Sequence, residues 1–176
     1  LLPAKPMDEI KNTNSLSGIT SAGGQANKTG DVLELFLQRL LNDNGYVEFW
    51  NHKEQVFANR LSVGGKQYAK EVVVGQSIYE TKVRCDFLII NKEKFPEGLI
   101  IECKWQQVSG SVDVKYPYNV LNILKIGVPS IILIDGKGVR KKAVQWLKDQ
   151  AHPSKALIGV YDMAEFQAKV NKGFLG

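Results

Sequence analysis

Residues 83–105 decide the fold: Val83-Arg84-Cys85-Asp86-Phe87-Leu88-Ile89-Ile90, a turn-like stretch over 91–97, then Gly98-Leu99-Ile100-Ile101-Glu102-Cys103-Lys104-Trp105. Both flanks are apolar runs of strand length, and each carries charge inside it. A carboxylate or an ammonium within an apolar strand is costly unless it is paired or holds a metal. Side chains alternate along a strand, so Glu102 and Lys104 share one face. Antiparallel pairing with Asp86 opposite Glu102 sets Leu88 opposite Ile100, Cys85 opposite Cys103 and Arg84 opposite Lys104. One face then carries Arg84, Asp86, Glu102 and Lys104. The other carries Cys85, Phe87, Ile89, Ile101, Cys103 and Trp105 and reads as core. A slip of one residue would put Asp86 and Glu102 on opposite faces.

This convergence has a chemical meaning. Two carboxylates at one strand end suit a hard divalent cation, Mg²⁺ above all, which takes oxygen ligands and keeps several waters. A lysine beside them can hold or deprotonate a water, or neutralise charge on a phosphate. Those are the parts of metal-assisted phosphodiester hydrolysis. The competing reading is a structural ion-pair cluster at a sheet edge.

Working outward, residues 31–41 alternate as a helix. Val32, Leu33, Leu35, Phe36, Leu37, Leu40 and Leu41 make a wide apolar face, and Asp31, Glu34 and Gln38 a polar stripe. Asn44-Gly45 ends it. Short strands are expected over 46–50, 56–63 and 67–74, the last two joined by a Gly64-Gly65 turn. Downstream come a helix over 116–126 with Pro117 in its first turn, and an apolar strand over 130–134 of the kind buried on both faces. A helix over 139–149, a strand over 156–161 and a helix over 163–170 complete the order. The fold class is α/β (α+β), a central mixed sheet flanked by helices. Residues 1–29, rich in Asn, Ser, Thr and Gly, read as a flexible arm before a single domain over 30–176.

Composition narrows the classes. The chain has 176 residues, 44% of them hydrophobic, which suits one globular domain. No apolar run reaches the roughly 20 residues of a membrane helix, and no secretory signal is visible. A soluble, cytoplasmic protein is expected. Two Cys and two His, without paired spacing, exclude a structural zinc site and weigh against histidine-based hydrolysis. Cys85 and Cys103 read as reduced, buried small residues, His52 and His152 as loop or surface residues, and Trp50, Trp105 and Trp146 as core. The net charge of +5 has a location: residues 137–172 carry eight Lys or Arg against three Asp or Glu, and the residues before them balance.

Asp86 followed after a gap by Glu102-Cys103-Lys104 resembles the Asp…Glu-x-Lys signature of the PD-(D/E)XK nuclease superfamily, with Cys85 where the family name has Pro. The likeness spans roughly residues 31–149. The stretch from Trp105 to Asp113, followed by Lys115-Tyr116-Pro117-Tyr118, looks like restriction-endonuclease-type members. The resemblance implies Asp86 and Glu102 as metal ligands, with the backbone carbonyl of Cys103 as a third. It implies Lys104 as the residue that orients or activates the attacking water. Glu34 is then either a solvated helix residue or one that contacts metal-bound water. Gln106 continues the Glu102–Lys104 face by alternation, as a site residue or an exposed strand-end side chain. The implied cofactor is Mg²⁺, with Mn²⁺ as a substitute. The implied partner is double-stranded DNA, cut by a homodimer.

Lys115, Asn119 and Asn122 share a helix face and, with Tyr116 or Tyr118, are candidates to meet phosphates or base edges; the alternative is a solvated face. Arg140 and Lys141, with Lys137 and Lys142, cluster where a helix begins. Positive charge there opposes the helix dipole, which suggests an anionic partner unless these are ordinary surface cations. The activity expected is that of a type II-like restriction endonuclease. A repair, recombination or junction-resolving nuclease shares its chemistry. A non-catalytic DNA-binding subunit and a metal-free structural protein are the other classes.

Overall fold

A computed structural model of the chain describes residues 22–49, 65–108, 110 and 112–176. The expected strand over 56–63, the Gly64 end of its turn, Trp50 and His52 lie outside them. The order is α1 (Ala22–Asp43), β1 (Val47–Glu48), β2 (Gln67–Gln76), β3 (Lys82–Asn91), β4 (Phe95–Trp105), a 3₁₀ turn (Asp113–Lys115), α2 (Tyr116–Ile126), β5 (Ser130–Asp135), α3 (Lys141–Gln150), β6 (Leu157–Tyr161) and α4 (Met163–Asn171). The six strands lie in one sheet in chain order. β1 and β2 are parallel, β2, β3 and β4 are antiparallel, and β4, β5 and β6 are parallel. The mixed α/β sheet expected from the sequence is therefore present, with four helices among the described residues.

Helices cover both faces. On one, Leu33, Leu37, Leu40 and Leu41 of α1 and Phe166 and Val170 of α4 pack on Phe87, Ile89, Leu99, Ile101, Ile131 and Leu133. Each such side chain contributes about 1.5–3 kcal/mol by leaving water. On the other, Tyr116, Val120 and Ile123 of α2 and Leu147 of α3 pack on Ile132, Ile134 and Val160. α2 starts at Tyr116-Pro117 and stops at Gly127, whose φ of 77° supplies the left-handed turn that ends it. α4 carries a capping box, with Asp162 Oδ1 accepting from the Glu165 N–H at 2.7 Å.

Three expectations need correction. The first helix begins at Ala22, inside the stretch read as an arm. Residues 22–30 lack apolar periodicity, but they hold no proline to stop a helix. Its apolar face is also narrower than expected, since Val32 and Leu35 are exposed. Trp146 is exposed rather than core, because α3 turns Leu147 inward and its sequence neighbour points elsewhere on the helix.

The β3–β4 pairing matters most for the site. Phe87 pairs with Ile101, Leu88 with Ile100 and Ile89 with Leu99, the register expected from the turn. The ladder ends at Phe87–Ile101, so Asp86 and Glu102 are not a ladder pair. Beyond that point β4 continues beside β5 alone, through Trp105 opposite Asp135. Two strands part, and polar groups fill the gap.

The expectation that Cys85 sits behind with Phe87 and Cys103 is also overturned. Cys85 packs with Ala69, Val72, Val74, Leu88 and Ile100, on the opposite side from Phe87. The cause is a reset of alternation. In β2, Tyr68 packs on the α1 side, yet Val72 and Val74 pack on the other. Between them Glu71 has a φ of 50°, and the ladder skips it and Asp86, passing from Lys70–Phe87 to Val72–Cys85.

Candidate active site

Asp86, Glu102 and Lys104 come together where β3 and β4 separate. Lys104 Nζ lies 2.7 Å from Glu102 Oε2 and 3.6 Å from Asp86 Oδ2. Asp86 Oδ2 also accepts the backbone N–H of Cys103 at 2.7 Å, a bond that a neighbouring strand would otherwise supply. The three side chains retain 16–31% of their exposure and line a cleft of about 340 Å³. Its opposite wall is α2, which contributes Tyr118, Asn119 and Asn122.

The electrostatics follow from this half-buried cluster. Burial raises the pKa of Glu102; the Asp86 charge adds to the rise, and Lys104 only partly offsets it. Burial alone would lower the pKa of Lys104, but the Glu102 and Asp86 carboxylates outweigh it and hold the ammonium charged. Burial likewise pushes the Cys103 thiol well up, with the Asp86 charge adding to it, so the thiol is no nucleophile at neutral pH.

The donor set fits a hard cation in part. Among the described residues, no group of three or more His, Cys, Asp or Glu is placed to hold a metal. Two carboxylates nevertheless flank one ammonium beside an open cleft. That suits Mg²⁺, which binds through one or two carboxylates and completes its shell with water and phosphate oxygens.

The remaining sequence candidates separate into groups. Tyr118, Asn119 and Asn122 reach the cleft, although Asn122 is largely buried and its Oδ1 accepts the Ile78 N–H at 2.9 Å. Lys115 is exposed just before α2 and does not line the cleft. Glu34 sits on α1, 3.8 Å from Lys70, on the sheet face that carries Cys103, and does not line the cleft. Gln106 corrects an expectation. It is 2% exposed, accepts from Tyr116 Oη at 3.2 Å and donates to the Val108 carbonyl at 3.3 Å. Its burial follows from the clamp at the end of β4. Gln106 N–H donates to the Asp135 carbonyl, and its own carbonyl accepts from Gly138 N–H, both at 2.9 Å. Arg140 and Lys141 stand away from the cleft; Arg140 Nε lies 3.1 Å from Asp113 Oδ2.

Sequence reading missed Tyr79. It lies in the β2–β3 turn, a stretch without period, and stacks on Tyr118 at the edge of the cleft.

A family model described as a PD-(D/E)XK nuclease superfamily domain matches residues 25–174. It extends beyond both ends of the 31–149 span whose motifs suggested it. No curated protein and no solved structure matches the chain.

Proposed function

Because the chain belongs to the PD-(D/E)XK nuclease superfamily, we propose that it is a Mg²⁺-dependent endodeoxyribonuclease that hydrolyses phosphodiester bonds in double-stranded DNA. The observation that carries this is the convergence of Asp86, Glu102 and Lys104 on one cleft. Asp86 and Glu102 would hold the metal, with the Cys103 carbonyl as a further oxygen donor. Mg²⁺ bound there supplies charge neutralisation at the phosphate and acidifies a water. The Cys103 amide fixes the orientation of Asp86. Lys104, kept charged by its neighbours, donates a hydrogen bond that aims the attacking water and offsets charge on the phosphate oxygens. Glu34 is proposed only as a more distant contributor, through water.

A restriction-type role and a repair, recombination or junction-resolving role use this same chemistry. Cutting both strands is simplest with two sites related by a two-fold axis, hence the proposed homodimer. Sedimentation as a single copy with DNA present would remove that part.

The test is incubation with supercoiled plasmid. Nicked and linear products are expected with Mg²⁺ or Mn²⁺ and none with excess chelator. Intact plasmid that is merely retarded in a gel would replace hydrolysis with the DNA-binding reading.

A further inference from the structure

The turn between β2 and β3 holds an aromatic side chain that the proposed hydrolysis does not use. Ser77, 1% exposed, ties this turn together. Its hydroxyl is 2.7 Å from Thr81 Oγ1 and accepts the Tyr79 N–H at 3.1 Å, while its N–H donates to the Thr81 carbonyl at 2.8 Å. α2 anchors the turn from the other side. Asn122 Oδ1 accepts the Ile78 N–H at 2.9 Å, and Lys125 Nζ donates to the Ser77 carbonyl at 2.9 Å. The turn is therefore fastened at both ends without help from the Tyr79 side chain.

Tyr79 itself is 72% exposed. Its ring lies 5.4 Å from that of Tyr118 with the planes 22° apart. Tyr118 in turn lines the cleft that holds Asp86, Glu102 and Lys104. As a packing element the pair accomplishes little, because so much of Tyr79 stays in water. A rigid, stacked aromatic pair with an open face is what an unpaired nucleobase takes. Bases inside a duplex are already stacked on their neighbours and offer no free face. Thr81 and Arg84 line the same cleft, where a backbone phosphate following that base would pass.

We propose that Tyr79 and Tyr118 form a shelf that stacks an unpaired base beside the scissile phosphate, so that the substrate is DNA with a single-stranded segment: an overhang, a flap or a branch. This rests on the nuclease reading and narrows it, because a fully paired recognition site would leave the shelf unused.

The probes are a fluorescein-labelled oligothymidylate of about 12 nucleotides, within the site sizes usual for single-strand binders, and a blunt duplex of the same length. Binding is measured by anisotropy with Ca²⁺ in place of Mg²⁺. Tyr79→Ala is expected to weaken oligothymidylate binding about 10- to 100-fold, the loss of one base–aromatic stack, and to leave duplex binding unchanged. Tyr79→Trp is expected to keep the affinity and to add, over the emission of the three wild-type Trp, an indole signal that oligothymidylate quenches. Unchanged single-strand binding by Tyr79→Ala, or indole emission indifferent to the oligonucleotide, overturns the shelf. Wild-type cleavage of both probes with Mg²⁺ is read alongside. Cleavage that persists while Tyr79 proves irrelevant removes the shelf and leaves the nuclease. Tyr79-dependent binding without cleavage removes the nuclease and leaves the shelf.

Discussion

Lys104→Ala is expected to slow DNA cleavage about a thousand-fold at saturating Mg²⁺, the upper end of the range for losing one positioned hydrogen-bond donor. DNA affinity should change little. Lys104 Nζ is the counter-charge of Glu102 and Asp86 in the cleft. Its removal leaves two carboxylates facing each other and raises the pKa of Glu102 further. The metal-free variant should therefore melt below wild type, and Mg²⁺ should restore more stability to it than to wild type. Restored stability without restored cleavage identifies Lys104 as more than a counter-ion. Cleavage within ten-fold of wild type at saturating Mg²⁺ would sink its catalytic role.

The pH dependence has a defined sign. Burial raises the Glu102 pKa in the fold, so a metal binding there must displace a proton held more tightly than in the unfolded chain. Mg²⁺ affinity should climb as pH rises through that raised value. In the metal-free protein the same group stabilises the fold below its ordinary pKa, and that contribution is lost as pH rises through the raised one.

Gly136→Ala is expected to cost about 4 kcal/mol, from backbone strain plus overpacking, and about 8–16 °C in melting temperature for a domain of this size. Gly136 has a φ of 117°, and a Cβ there would lie 2.2 Å from the Gln106 carbonyl oxygen. Neither obstacle is a flexible side-chain tip. The natural comparison is Gly127→Ala, where φ is 77° but nothing lies within 4 Å. That change carries the conformational penalty alone, about 1 kcal/mol. Thermal unfolding of the two variants side by side isolates the steric part. Melting of Gly136→Ala within 4 °C of Gly127→Ala would mean that the β4 end yields easily. If it does not, Lys104 rests on a rigid support, since Gln106 follows it by two residues.

What the sequence revealed depended on how local the cause was. Paired apolar runs and the turn between them were enough for the Leu88–Ile100 register, because a one-residue slip would reverse every buried side chain. The convergence of Asp86, Glu102 and Lys104 followed from it. The position of Cys85 did not, because strict alternation fails where Glu71 takes a left-handed φ, and nothing in its residue type announces that. Gln106 was misplaced for a different reason. Alternation carries it toward the cleft, but the Asp135 and Gly138 backbones fold over it. Tyr79 was invisible because its partner Tyr118 is far along the chain, and stacking between a turn and a helix has no periodic trace.

The strand order has a consequence for how the domain assembles. Among the described residues each strand of the sheet lies beside its chain neighbour, and the antiparallel β2–β3 and β3–β4 pairings close over short turns. Asp86, Glu102, Lys104 and Tyr118 all fall within β3, β4 and α2, a short continuous stretch. The large loop closures are those that bring α1 against β4 and against α4. In entropic terms the cleft closes over shorter loops than the contact between α1 and α4 does.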